Sequence, residues 1–249
     1  MNFRPRGIFF AALAALAVPM AAQTATIRYI EFNQPKRDRV EDYRKAIAEY
    51  NSVLRKGGAT TWYTEWSAQT GPAEYLTIED HATWADLDKP RLTPTDHPEL
   101  AAELASADQH IREANQSSRR VILRLVPDAS LPLTSDNPPM LFARWVRVSA
   151  GHADDYAAIQ KADLPPAFRK AGLKFASVWQ VVFGSQLSQF LQLAGSEKWA
   201  ALDGPDPASQ AMGEEALARY RMKIRPLIVE AHEDVYRFRP ELSYLPAKK

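Results

Sequence analysis

The sequence predicts an α+β protein in which one βαββαβ unit is written twice, with the antiparallel sheets of the two units packed on each other. Three observations carry this reading. The first is an internal repeat. Glu41-Asp42-Tyr43 corresponds to Asp154-Asp155-Tyr156, 113 residues on. Trp84-Ala85-Asp86-Leu87-Asp88 corresponds to Trp199-Ala200-Ala201-Leu202-Asp203 at 115, and the run Arg124 to Leu131 corresponds to Arg237 to Tyr244 at 113. The second is that both copies spell the same elements in the same order. The third is a strand with aromatic side chains on both faces, which an open sheet would leave exposed.

In the first copy, Thr26–Asn33 is rich in β-formers and free of breakers, so it reads as a strand. Val40, Tyr43, Ile47, Tyr50 and Leu54 form one apolar stripe on a helix over Arg37–Lys56. Gly57-Gly58 ends that helix, because glycine takes the positive φ of a helix C-terminus without strain. Thr60–Ala68 and Glu74–Ile78 form a hairpin around Gly71-Pro72. A short helix at Thr83–Leu87, a Pro-rich loop, a helix carrying Leu100, Leu104, Ala107 and Ile111, and a strand at Arg119–Val126 complete the unit. The second copy runs as strand Leu141–Val148, helix His152–Lys170, strands Phe175–Phe183 and Gln189–Leu193, short helix Lys198–Leu202, helix Ala208–Arg225 and strand Asp234–Arg239. Pro165-Pro166 is expected to break the first of these helices, since each ring removes a donor and clashes one turn back. The boundaries are then a leader at 1–24, a first unit at 25–127, a linker at 128–139 and a second unit at 140–246.

Strand, helix, hairpin, helix, strand is the ferredoxin-like arrangement, with helices on one face of a four-stranded sheet. Trp62, Thr64 and Trp66 alternate with Tyr63 and Glu65, so the other face also needs cover. Two sheets packed face to face supply it. In this order and duplication the chain resembles the dimeric α+β barrel superfamily, in a fused tandem form with a loose likeness to NIPSNAP-type domains. The resemblance spans Thr26–Tyr244 and implies a pseudo-symmetric α+β barrel. Relatives of that fold include haem-binding proteins using Asn, Trp and His, for which Asn33, Trp66 and His81 stand in the right order here. Others are cofactor-free monooxygenases of aromatic polyketides.

Arg4 and Arg6 precede an uncharged apolar run from Ile8 to Met20, and small residues follow at Ala21 and Ala22. That is a secretory signal pattern, too short for a membrane span, and it predicts bacterial export to the periplasm or medium. Without the leader, 29 basic residues face 30 acidic ones, so nothing favours a nucleic-acid partner. The chain has no cysteine, which excludes disulfides, thiolate metal sites and cysteine nucleophiles. His81, His97, His110, His152 and His232 show no metal-ligand spacing, and no serine-elbow, Walker or dinucleotide motif occurs. No metal and no cofactor is expected, with haem only as the resemblance implies it. No stable membrane span remains after leader removal, and a monomer or weak homodimer is expected.

The candidate ligand-binding residues are Glu31, Tyr63, Glu65, Arg124, Arg144 and Arg237. At an offset of 113, Glu31 maps to Arg144 and Arg124 to Arg237, which puts charges at equivalent strand centres. Pointing inward, they would form a charged site between the sheets for a small polar or acidic molecule, held bidentately by arginine. The competing reading is a salt-bridge layer or a set of solvent-facing side chains. Trp62, Trp66, Trp145 and Trp179 sit on predicted strands as core or as pocket lining, and Trp84 and Trp199 as packing. The copies differ at Glu31 against Arg144, at Pro165-Pro166 and at every histidine, which favours one site per chain. A small-molecule-binding protein, a haem-dependent or cofactor-free monooxygenase, and a structural or partner-binding module are the three functional readings. A visible spectrum separates them: the purified protein is expected to show no Soret band, and a Soret band would establish haem.

Overall fold

The computed structural model describes residues 25–89, 91–133, 137–204 and 207–245, so the predicted leader lies outside the described residues. Among the described residues are eight strands and five α-helices. They run β1 Ile27–Pro35, α1 Val40–Lys56, β2 Thr64–Ala68, β3 Tyr75–His81, α2 Ala101–Ala114 and β4 Asn115–Leu125. They continue as β5 Met140–Val148, α3 Ala153–Lys170, β6 Ala176–Phe183, β7 Gln189–Ser196, α4 Pro207–Met212, α5 Glu214–Ile224 and β8 Ile228–Phe238. The strands close into an antiparallel barrel in the order β1-β3-β2-β8-β5-β7-β6-β4. None of the described helices is long and apolar enough to cross a membrane.

Eight strands enclose a space that side chains can just fill, and here they fill it. Ile30 and Phe32, Trp66, Leu76, Leu123, Trp145, Trp179, Leu191 and Tyr236 belong to one buried apolar cluster that draws on all eight strands. Phe32 and Trp145 stand on opposite sides of the barrel, yet their rings meet at 5.8 Å between centroids. The indole N–H groups are paired locally, Trp66 to the Thr64 hydroxyl at 2.9 Å and Trp179 to the Ser177 hydroxyl at 2.8 Å. One end is plugged by Arg28, which lies 4.1 Å over the Trp179 ring and donates two bonds to Asp80. Further along β1, Arg119 lies 3.5 Å over Phe32, and the Tyr236 hydroxyl donates to Glu74 at 3.0 Å. The space in which the sequence places a charged ligand site is therefore packed with aromatic rings.

The outward strand faces carry the helices. In the second half this layer is a broad apolar core, with Val146, Val178 and Phe190 under Tyr156, Phe168, Tyr220 and Ile224. In the first half the matching layer holds two small clusters, around Tyr43 and Ile47 and around Leu54 and Tyr63. Each half is also clasped by the chain that leaves the other. After β4, Val126 N–H donates to Val178 O, and Ser130 Oγ accepts from Val178 N–H while donating to Val126 O. After β8, Arg239 N–H donates to Glu65 O, and Ser243 Oγ accepts from Glu65 N–H while donating to Arg239 O. All three partners in one clasp stand 113 residues from those in the other.

Several expectations are corrected. The helix expected to break at Pro165-Pro166 runs unbroken from Ala153 to Lys170. The two missing N–H groups would have met the carbonyls of Lys161 and Ala162, which are exposed residues that water can solvate, while Leu164, Pro165, Ala167 and Phe168 are buried and hold the segment by packing. The helix expected over Ala208–Arg225 is instead divided at Gly213, whose φ is +79°. Ala129 and Leu131, within the expected linker, are buried because they belong to the clasp. Trp62 precedes β2 rather than lying on a strand and stacks on Tyr244 at 5.0 Å. Trp84 and Trp199 are substantially exposed, and Trp84 meets Phe183 edge-on.

Trp179→Ala is expected to cost about 3–5 kcal/mol, because the filled interior cannot collapse around the lost indole. Urea unfolding checks this, and a loss below about 1 kcal/mol would show that the interior is not close-packed.

Candidate functional site

Chemistry concentrates on the outward face of the first half, beneath α1 and the segment carrying Arg91. The strand register sets Arg120, Glu31, Thr77 and Glu65 in one row across β4, β1, β3 and β2. Tyr29 and Glu79 are opposite each other in the next row. Outward-facing positions recur every second residue, so the inward neighbours Ile30, Trp66 and Leu76 build the barrel core while these polar residues share one sheet face.

Glu65 is the centre of the arrangement. It is fully buried and makes no ion pair within 4 Å among the described residues. Its partners are hydroxyls: Tyr43 donates to Oε1 at 2.8 Å and Thr77 to Oε2 at 2.7 Å. Asn33 approaches Thr77 at 3.5 Å and accepts from Asn115 at 3.0 Å. Burial raises the Glu65 carboxyl, the two hydroxyl bonds and Arg91 oppose the rise, and the group is pushed up to about 7. Burial, reinforced by Glu65, also drives the Tyr43 phenol well above its ordinary value.

A compensated set lies beside it. Arg91 donates to Glu79 and stacks 4.6 Å over the ring of Tyr63, whose hydroxyl donates to Asn51. Burial alone would raise the Glu79 carboxyl, but His81 and Arg91 outweigh it and hold the group below its usual range. His81 Nε2 is buried 3.6 Å from Glu79 with no hydrogen-bond partner. At the more open side, Arg120 pairs with Glu31 at 3.1 Å and the Tyr29 hydroxyl donates to Glu31 at 3.5 Å. Burial, then Glu31, pushes the Tyr29 phenol up to about 12.

Of the residues singled out from sequence, Glu31, Tyr63 and Glu65 thus share one layer, outside the barrel rather than within it. Arg124 and Arg237 are exposed on the outward faces of β4 and β8. Arg144 lies in the second half, 3.5 Å from Glu233, and does not meet Glu31. Barrel closure turned the strand-borne side chains outward, because neighbours such as Ile30, Phe32, Trp66, Leu123, Trp145 and Tyr236 take the interior. Asn33 and His81 lie on the outward face and Trp66 inside the barrel, so the sheet separates the three residues of the haem expectation and they do not fit that group. No cluster of three potential metal ligands occurs among the described residues. An open cleft of about 460 Å³ between the chain after β4 and α3 contains Lys161, paired with Asp128 at 3.6 Å, and Arg169.

Sequence reasoning missed Tyr29, Tyr43, Thr77, Glu79 and Arg91. A signal existed for the centre: at an offset of 113, Glu65 corresponds to Val178, a buried acid where the other copy has an apolar residue.

Fold and site together define an α+β barrel with a buried carboxyl beneath the helices of its first half. Solved structures of the same fold include a candidate monooxygenase from Lactobacillus acidophilus, with TM-score 0.58 and 10% identity over 86% of this chain and 94% of that one. A candidate monooxygenase from Fusobacterium nucleatum matches with TM-score 0.57 and 10% identity, over 86% and 93%. An anthrone oxidase-like protein matches with TM-score 0.52 and 13% identity, over 86% and 92%. No protein-family model matches the chain, and no curated protein sequence matches it. At these identities the likeness is one of fold.

The raised Glu65 carboxyl makes stability depend on pH with a definite sign. Between about 4.5 and 7 the folded state binds a proton that the unfolded state has released, so stability falls as pH rises through that window. Wild type is expected to lose roughly 3 kcal/mol more than Glu65→Gln between these limits. Urea titrations at a series of pH values measure it, and parallel profiles for the two proteins would place the Glu65 carboxyl near its ordinary range.

Proposed function

We propose that the first half of this chain binds a small organic molecule at the Glu65 face and that Glu65 accepts a proton from it. The observation that carries this reading is a fully buried carboxyl held only by hydroxyls and poised near neutrality, the condition under which a carboxylate is an effective base at working pH. The fold does not need that acid. Val178 receives the same serine clasp in the second half and packs in an apolar core. Tyr29, Glu31 and Arg120 form the partly exposed edge of this layer, from which a ligand would have to enter, and Arg91 with its Tyr63 platform covers the inner side.

The second reading is cofactor-free oxygenation, and the shared fold with candidate monooxygenases and an anthrone oxidase-like protein favours it. Glu65 would take a proton from an acidic methylene or phenol. The resulting anion would pass electrons to dioxygen, with CH2 + O2 giving C=O + H2O overall. In the same proposal the two halves are fused copies of one unit forming a pseudo-symmetric barrel, and residues 1–24 direct export and are removed. N-terminal sequencing of the mature protein tests that last point.

Dioxygen uptake with an anthrone as probe distinguishes the readings. Oxygenation predicts turnover that falls at least about 100-fold in Glu65→Gln. Equal turnover in both proteins would remove Glu65 from the chemistry. Saturable binding of the probe without turnover would leave the binding reading alone standing.

A further inference from the structure

The second half repeats the polar row with its chemistry inverted. Across β8, β5, β7 and β6 it reads Glu233, Arg144, Gln192 and Val178, where the first half has Arg120, Glu31, Thr77 and Glu65. The sign of the ion pair is exchanged, and the central carboxyl is replaced by valine. Around Gln192 of this row stand three side chains with a donor to spare. Gln160 of α3 is fully buried; its Oε1 accepts from Gln192 at 2.8 Å and from Tyr220 at 3.1 Å, while its Nε2 has no partner. Arg144 Nε is also buried and unpartnered, since Glu233 stands at ion-pair distance without hydrogen-bond geometry. The Tyr156 hydroxyl, equivalent to the Tyr43 hydroxyl that donates to Glu65, accepts from Gln192 at 3.0 Å and keeps its own proton to give.

Unpaired buried donors are rare in folded proteins and call for an acceptor. A carboxylate only accepts, so it can take a bond from each of these donors at once. We propose that this layer binds the carboxylate of a small organic acid between Arg144, Gln160 and Tyr156, the ligand supplying the carboxyl group that Glu65 supplies in the first half. Arg144 is the point of entry, because its side chain reaches the surface and its loose contact with exposed Glu233 is readily exchanged. The site is independent of any role for Glu65.

Sodium acetate is the probe, titrated against sodium chloride at equal ionic strength, with melting temperature and the line width of carbon-13-labelled acetate as readouts. Wild type is expected to show a saturable, acetate-specific rise in melting temperature. Arg144→Gln and Gln160→Leu should each weaken acetate binding roughly tenfold or more. Val178→Glu, which builds the carboxylate into the protein, should abolish it while keeping every donor in place. An acetate response absent from wild type, or undiminished in Arg144→Gln and Val178→Glu, overturns the proposal. Should the variants fail to fold, a crystal structure of wild type grown in acetate decides: acetate on Arg144 and Gln160 supports the site, and a water alone on Gln160 Nε2 overturns it.

Discussion

The close packing of aromatic rings across the barrel is the constraint on which the remaining structure depends. Phe32 and Trp145 meet from opposite strands, Trp66 and Trp179 satisfy their own indole N–H groups two residues back, and Arg28 and Arg119 lie over the outermost rings. These rings occupy the space between the sheets. Their packing also commits every alternate strand residue to the outside, where the helices must cover it. Glu65, Thr77 and Glu31 lie beneath α1 for that reason, and the layer between sheet and helix becomes the place where polar chemistry can collect.

The reciprocal clasps bind the halves into one unit and account for the strongest sequence match. Ser130 and Ser243 each accept from a strand N–H of the other half and donate back to the carbonyl four residues earlier. The runs Arg124–Leu131 and Arg237–Tyr244 resemble each other because both perform this task. Function is better sought where the halves differ. With the clasp identical, Glu65 in one half and Val178 in the other receive the same serine, so the acid is a departure from what the fold requires. The exchange of Arg120–Glu31 for Glu233–Arg144 has the same character: it retains an ion pair on the sheet and reverses which strand carries the positive charge.

Element order, the repeat and the helix ends were legible in the chain, because they arise from local causes. The apolar stripe from Val40 to Leu54 makes a helix in any context that covers one side of it, and Gly58 with φ +65° stops it. The proline pair misled, because burial of Leu164, Pro165, Ala167 and Phe168 outweighs two lost hydrogen bonds, and burial is a property of the assembled protein. Of the candidate site residues, Glu31, Tyr63 and Glu65 lie on the outer face of the sheet, a placement that strand alternation by itself leaves open. Arg91 could not be marked at all, since it reaches Glu79 and Tyr63 from a loop with no periodicity.

By itself, then, the sequence determined an α+β chain, cysteine-free and near-neutral, with charged residues at strand centres. Only the tertiary structure decided which way those residues face. Strand side chains alternate with period two, so the same residues suit either face until closure of all eight strands packs Trp66, Trp145 and Trp179 inside. That choice turned Glu65 out towards Tyr43 and Thr77, and left Arg144 Nε and Gln160 Nε2 buried without a hydrogen-bond partner.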